Sequence, residues 1–230
     1  MAELERLVPR VVEAQQSTAP FAMAHLILST PQPLDRVDAI AVIPGLGEYE
    51  RIVAAVDAWE ASPKARHFLV AGTNGIEQTQ VQPTLTFLQG DPIYLQRSEG
   101  VETQVAAEHT RDQAEWLIKR VKELHITSMA LFVSHWHLSR AYSTLIKTML
   151  KDGDVHIPIF PIAVASPPHT IVPELGKTVV ELSPGEAERI QKYQETGDVA
   201  TLAELETYLT WLWQQDVVPI GNSSPRHRSR

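Results

Sequence analysis

The sequence predicts an α/β protein: a Rossmann-like, doubly wound, mostly parallel sheet with a C-terminal helical extension. Three observations predict it. From residue 38 onward, apolar runs of strand length alternate with stretches of helical spacing. The turns leaving several of these runs are glycine-rich or polar, as expected at the ligand-binding end of a parallel sheet. After residue 182 the alternation stops and helix-start signatures take over.

The chain divides accordingly. Residues 1–37 form an N-terminal helix and a wrapping segment, 38–182 the α/β domain, 183–218 helices packing on it, and 219–230 a disordered tail. Leu4 to Gln16 has helical periodicity, and Pro20, Pro31 and Pro33 keep the following stretch irregular. Asp38 to Ile43 reads as the first strand and Glu48 to Ala61 as its helix. Arg66 to Ala71 is the second strand, followed by helical spacing near Gln78 to Leu88. Pro92 to Gln96 reads as a short third strand, and Val105 to Leu124 as a long helix. Ser128 to Val133 is the fourth strand, leading into a helix over 136–151. His156 to Ala165 is the fifth; Pro158 and Pro161 place it at an edge or at bulges. Ser183-Pro184-Gly185-Glu186 is a capping box with proline at the first helical position. Thr201 to Glu204 is a second, opening a helix through Trp213. Trp211 and Trp213, two apart on that helix, read as core or cap packing before interface.

The bulk properties narrow the function. A formal net charge of -8 argues against a general affinity for nucleic acid or an anionic membrane surface. The absence of cysteine excludes disulfides, thiolate metal sites and cysteine nucleophiles. The charged start lacks the pattern of a signal peptide, and no run reaches the roughly 20 apolar residues of a membrane span. The expectation is a cytoplasmic protein with a small-molecule partner.

Four segments carry polar groups at strand ends. In Pro44-Gly45-Leu46-Gly47 the glycines allow a backbone to approach a ligand, or simply make a tight turn. Glu50 occupies the third position of a G-x-G-x-x-G pattern, so the dinucleotide fingerprint is broken. Arg51, four residues after Gly47, points back at an anion or is a solvated helix charge. Ala71-Gly72-Thr73-Asn74-Gly75-Ile76-Glu77 supplies amides, a hydroxyl and a carboxylate from a second loop at the same sheet end. Thr110 to Gln113, next to His109, has the T-x-x-Q pattern of a capping box. Helical spacing already begins near Val105, so the segment reads first as a polar helix face. In Ser134-His135-Trp136-His137-Leu138-Ser139-Arg140, His137 and Arg140 share a helix face. An imidazole there is a candidate acid or base, and the guanidinium a candidate clamp for phosphate or carboxylate. His135 and His137 as metal ligands have no third partner, and H-E-x-x-H is absent.

In this order the motifs resemble the YdcF/SanA/ElyC-like family of α/β proteins, over roughly residues 38–165. That family has a glycine-rich loop and an arginine after its first strand, similar to Pro44 to Gly47 and Arg51 here. Its S-G-G-like loop and glutamate look like Ala71-Gly72-Thr73 and Glu77. Its N-T-x-E-N helix entry looks like His109 to Gln113, with His109, Asp112 and Gln113 as departures. Its S-x-x-H-x-x-R-A segment is matched by Ser134, His137, Arg140 and Ala141. The resemblance implies a polar small-ligand pocket at the carboxyl ends of the strands, with S-adenosylmethionine as the ligand of one member.

The expectation is an enzyme that hydrolyses or transfers a group of a phosphorylated or nucleotide-like molecule. Amides of Gly45 and Gly47, with Arg51 and Arg140, bind the anion. His137 is the acid or base, and Ser134 or Glu77 orients it or the substrate. Gly72, Thr73, Asn74, His109, Thr110, Gln113 and His135 are the further ligand-binding candidates. Glu77 and Asp112 are the carboxylates for a divalent metal if one is used. The alternatives are a non-catalytic nucleotide or S-adenosylmethionine sensor, or a pocket remodelled around His109 and His135 for a specialised metabolite.

Overall fold

The computed structural model describes residue 34 and residues 37–45, 47–74 and 82–215. The expected N-terminal helix, Glu77, the start of the helical stretch near Gln78 and the tail from 219 lie outside the described residues.

The first apolar run forms β1 (Ala39–Val42), buried along its whole length. A strand with helices against a parallel sheet must be apolar on both faces, so its sequence is continuous rather than alternating. The same logic gives β2 (His67–Val70), β4 (Met129–Ser134) and β5 (Ile159–Val164). With β3 (Val101–Thr103), they make a five-stranded parallel sheet of order β3-β2-β1-β4-β5. The chain steps outward from β1 to β3, then crosses back to β4 on the other side of β1. The Rossmann-like reversal between β1 and β4 is where such sheets open a crevice. As its prolines predict, β5 is an edge strand, with Pro161 opposite Leu131.

The helices are α1 (Glu50–Ala61), α2 (Leu85–Gln89), α3 (Thr110–Glu123), α4 (His135–Asp152), α5 (Val179–Glu195) and α6 (Leu202–Trp213). None of the described helices is long and apolar enough to cross a membrane. Residues of α4 from Leu138 to Met149 join the main core with β1, β2 and β4, and α3 packs beside α4.

Three expectations are corrected. Pro92 to Gln96 is not a strand. Ile93 and Tyr94 N–H both donate to Gly90 O, and Leu95 N–H donates to Leu88 O, folding the segment back on α2. Ile93 and Leu95 are buried, so their apolarity marks packing and not pairing. The third sheet position belongs to β3, where Phe68 N–H donates to Gly100 O and Gln104 N–H to Val70 O. The helix expected from Val105 starts at Thr110, because the Asp112 carboxylate accepts from Glu108 and His109 N–H, each at 3.0 Å, and fixes the start there. Val105 itself is exposed.

The third correction concerns the C-terminal third. A short hairpin, β6 (Ile171–Val172) with β7 (Lys177–Thr178), precedes α5. Helix α5 begins at Val179, four residues ahead of Ser183, and Pro184 lies inside it. Two start signatures overlap, and the upstream one prevails. Thr178 N–H donates to Glu181 at 2.7 Å, and Glu181 N–H donates back to the Thr178 hydroxyl at 3.4 Å. The expected boundary at 182/183 therefore falls within a helix. Val172, Val179 and Leu182 enclose Trp136, tying this unit to the start of α4. The Thr201–Glu204 box does open α6, as expected. Trp211 packs on His156 and Tyr208, while Trp213 is partly exposed.

Tyr208 pins α6 to the edge strand. Its hydroxyl accepts from Ile159 N–H and donates to Ile157 O, each at 2.8 Å. Tyr208→Phe leaves the buried Ile159 amide without that acceptor and should cost about 1–3 kcal/mol in urea unfolding, with an unchanged m-value. A loss below about 0.5 kcal/mol would mean the amide finds another partner.

Candidate functional site

A cavity of about 440 Å³ opens at the carboxyl ends of β1 and β4. Small-ligand pockets run to roughly 300–1,000 Å³, so one small organic molecule fits. Segments far apart in sequence converge on it because their strands end side by side.

The β1 loop contributes Pro44 and Gly45. Gly47 is in the left-handed region, with φ 76°, but does not line the cavity; it serves the tight turn. After β2, Thr73 and Asn74 line the wall. Gly72 lies just behind, its N–H donating to Gln104 Oε1 at 2.9 Å. A Cβ at Gly72 would come within 2.7 Å of the Ala106 carbonyl carbon, so only glycine lets the two loops meet. The start of α3 brings His109, Thr110 and Gln113. Gln113 is a brace between loops, its Nε2 donating to Gly72 O at 2.7 Å and to Pro44 O at 3.4 Å.

Helix α4 supplies His137 and Arg140 on one face, one turn apart. Both reach Glu186 of α5. His137 Nδ1 is 3.2 Å from Glu186 Oε2, and Arg140 Nε donates to the same oxygen at 2.7 Å. Arg140 also reaches Glu186 Oε1 and the Thr110 hydroxyl, each at 3.3 Å, and Arg189 donates to Glu186 Oε1 at 2.7 Å. Burial favours neutral forms of both His137 and Glu186. For His137 burial wins, helped by the Arg140 charge, and its pKa is pushed down to about 4. For Glu186 the bond to His137 and the arginine charges overcome burial, so the carboxyl stays well below the usual range. The pair is thus a carboxylate and a neutral imidazole. An ionised carboxylate only accepts, so Nδ1 carries the proton and Nε2 holds the lone pair.

Beneath this pair is a second buried network. Arg51 was expected to meet an anion, but it is only 1 % exposed. Its Nε donates to Ser134 Oγ at 2.6 Å, one terminal nitrogen to Ile43 O at 3.2 Å, and the other to Glu48. Glu48 Oε1 also accepts from Ser134 Oγ at 2.8 Å and from Trp136 Nε1 at 3.0 Å. Arg51 therefore forms part of the floor, and a terminal nitrogen reaches the wall beside Gly45. Ser134, 1 % exposed, orients Arg51 and not His137, which corrects its expected place beside the imidazole. His135 turns away from the cavity, accepting from Ser166 N–H at 3.3 Å. Asp112 caps α3. No three histidine, aspartate or glutamate side chains converge as a metal site among the described residues.

Sequence reasoning missed Glu186, placing it at a helix start. A signal was present: Leu182, Glu186 and Ile190 follow helical spacing and are all buried in α5. A carboxylate on an apolar stripe needs a buried partner. Tyr193 and Asp198, also from the C-terminal third, border the cavity, and Asp198 lies 3.6 Å from Arg111.

Fold and cavity together define a Rossmann-like α/β protein with a cavity at the switch point of its sheet. No family model, curated protein or solved structure matches the chain.

Proposed function

We propose that this chain is a small-molecule enzyme that hydrolyses, or transfers a group of, a phosphorylated or nucleotide-like substrate. The observation that carries the reading is the buried His137–Glu186 pair bordering the cavity, with Arg140 against it. The carboxylate fixes the imidazole tautomer, so Nε2 accepts a proton from water or a substrate hydroxyl. Arg140 keeps unused N–H groups on both terminal nitrogens, because each makes one bond. These, with the first amides of α3, favour an anion. The motif order, which resembles that of the YdcF/SanA/ElyC-like family, supports the same reading. In this reading the protein is cytoplasmic, and neither nucleic acid nor membrane is a partner.

One observation favours a non-catalytic nucleotide or S-adenosylmethionine sensor instead. An imidazole with a pKa of about 4 is a weak base at neutral pH. An anionic ligand beside His137 would raise that value, which is how the enzyme reading meets the objection.

A panel of phosphate esters separates the two. In the enzyme, His137→Ala should lower turnover by about 10²–10⁴-fold while ligand affinity stays within about tenfold. Arg140→Ala should weaken binding. Equal, large losses of binding in both variants, with no ester turned over by the wild type, would establish the sensor.

A further inference from the structure

Three residues that line the cavity each carry a polar side-chain atom without a partner among the described residues: Gln113 Oε1, His137 Nε2 and the Thr73 hydroxyl. Their residues are 7 %, 5 % and 5 % exposed. Only Arg120 Nε is both fully buried and unpartnered among the described residues, so these three atoms reach accessible space. The cavity that all three residues line offers that space.

Their polarity is fixed by what lies behind them. Gln113 Nε2 is committed to two carbonyl oxygens, Gly72 O and Pro44 O, which cannot donate. The amide is therefore held with Oε1 toward the cavity as an acceptor. His137 Nδ1 is held by Glu186, which leaves Nε2 as a second acceptor. The Thr73 hydroxyl serves either way. The ligand must bring donors. A phosphate dianion brings none. An ammonium brings them, but it would sit against the Arg140 and Arg51 guanidiniums. Neutral hydroxyls satisfy the acceptors without opposing those charges.

We propose that this site reads the hydroxyls of a sugar ring, in a sugar phosphate or the ribose of a nucleotide, and that Gln113 is a specificity-determining residue. The inference rests on the phosphorylated-substrate reading above and narrows it. The phosphate would lie toward Arg140 and the start of α3, with ring hydroxyls donating to Gln113 Oε1 and His137 Nε2 and one of them bonding the Thr73 hydroxyl. A ligand lacking them leaves buried acceptors unpaired, and sites built to bond a substrate hydroxyl discriminate strongly on that ground.

The test is calorimetric titration of the full chain with matched ligands. Ribose 5-phosphate is compared with tetrahydrofurfuryl phosphate, which has the ring and phosphate but no ring hydroxyl. AMP is compared with 2′,3′-dideoxy-AMP; which pair binds tells a free sugar phosphate from a nucleotide. Ribose and inorganic phosphate complete the set. Removing the hydroxyls should weaken binding by about 10- to 100-fold. Gln113→Met, which leaves His137 Nε2 in place, should shrink that ratio by about threefold or more while keeping the preference for phosphorylated over free ribose. Thr73→Val, whose side chain braces nothing, gives the same reading at one hydroxyl if Gln113→Met does not fold. Equal affinities within each wild-type pair would overturn the hydroxyl site and leave the phosphate reading standing. Ribose binding as tightly as its phosphate would overturn the phosphate reading and leave the hydroxyl site. Failure of every ligand to bind would overturn the hydroxyl site.

Discussion

Glu48→Ala should destabilise the fold by about 3–5 kcal/mol, the cost of leaving a buried charge without its partner. Arg51 and Glu48 are 1 % and 4 % exposed, and burial already pulls the Arg51 guanidinium below its ordinary pKa, with Glu48 pushing back. The substitution also takes the acceptor from Ser134 Oγ and Trp136 Nε1. Removing both charges together, as Glu48→Gln with Arg51→Met, should recover most of the loss, because replacing a buried ion pair by matched neutral groups is often close to neutral. Urea unfolding of the single and double variants checks this. A single-variant loss below about 1 kcal/mol would mean water or another acceptor reaches Arg51.

The second large effect is acid sensitivity from His137. Its folded pKa of about 4 lies below the ordinary value of 6.5. Well above 6.5 neither state holds the proton, so His137 gives no pH dependence there. Between 6.5 and 4 the unfolded chain binds a proton that the folded chain refuses, and stability falls with pH. From pH 7.5 to 5 the loss should be about 2 kcal/mol, its slope approaching roughly 1.36 kcal/mol per unit below pH 6. Glu186, held low, adds its own loss only as the pH drops through the ordinary carboxylate range and below it. Unfolding free energies of wild type and His137→Gln between pH 7.5 and 5 isolate the histidine. The difference between the two slopes is the readout, and parallel slopes would place the imidazole in a wetter setting.

Much of this was legible in the sequence because buried parallel strands leave a direct trace. The runs at β1, β2, β4 and β5 are apolar on both faces, and the polar residues just past them sit where the sheet opens. Val101-Glu102-Thr103 leaves no such trace, being three residues long and half-buried. Ile93 and Leu95 offered a stronger apolar pattern nearby but are buried by a turn. At the site, the kinds of side chain could be read but not always their aim. His137 and Arg140 share a face by helical geometry alone. Arg51 points inward because Glu48, three residues earlier, is buried with it. Glu186 is separated from its partners by the rest of α4, β5, the hairpin and the first turns of α5, and its local sequence favours a cap, so only tertiary packing could place it.

That separation orders events during synthesis. Glu186 follows Arg140 by 46 residues and His137 by 49. Once synthesis has passed Val164 but not reached α5, all five strands of the sheet have been made, yet Arg140 lacks its counter-ion and Trp136 lacks its cover. The cavity at the strand ends is therefore among the last parts of the molecule to be completed, and a nascent chain stalled before α5 would hold the sheet's sequence without the carboxylate that pairs His137 and Arg140.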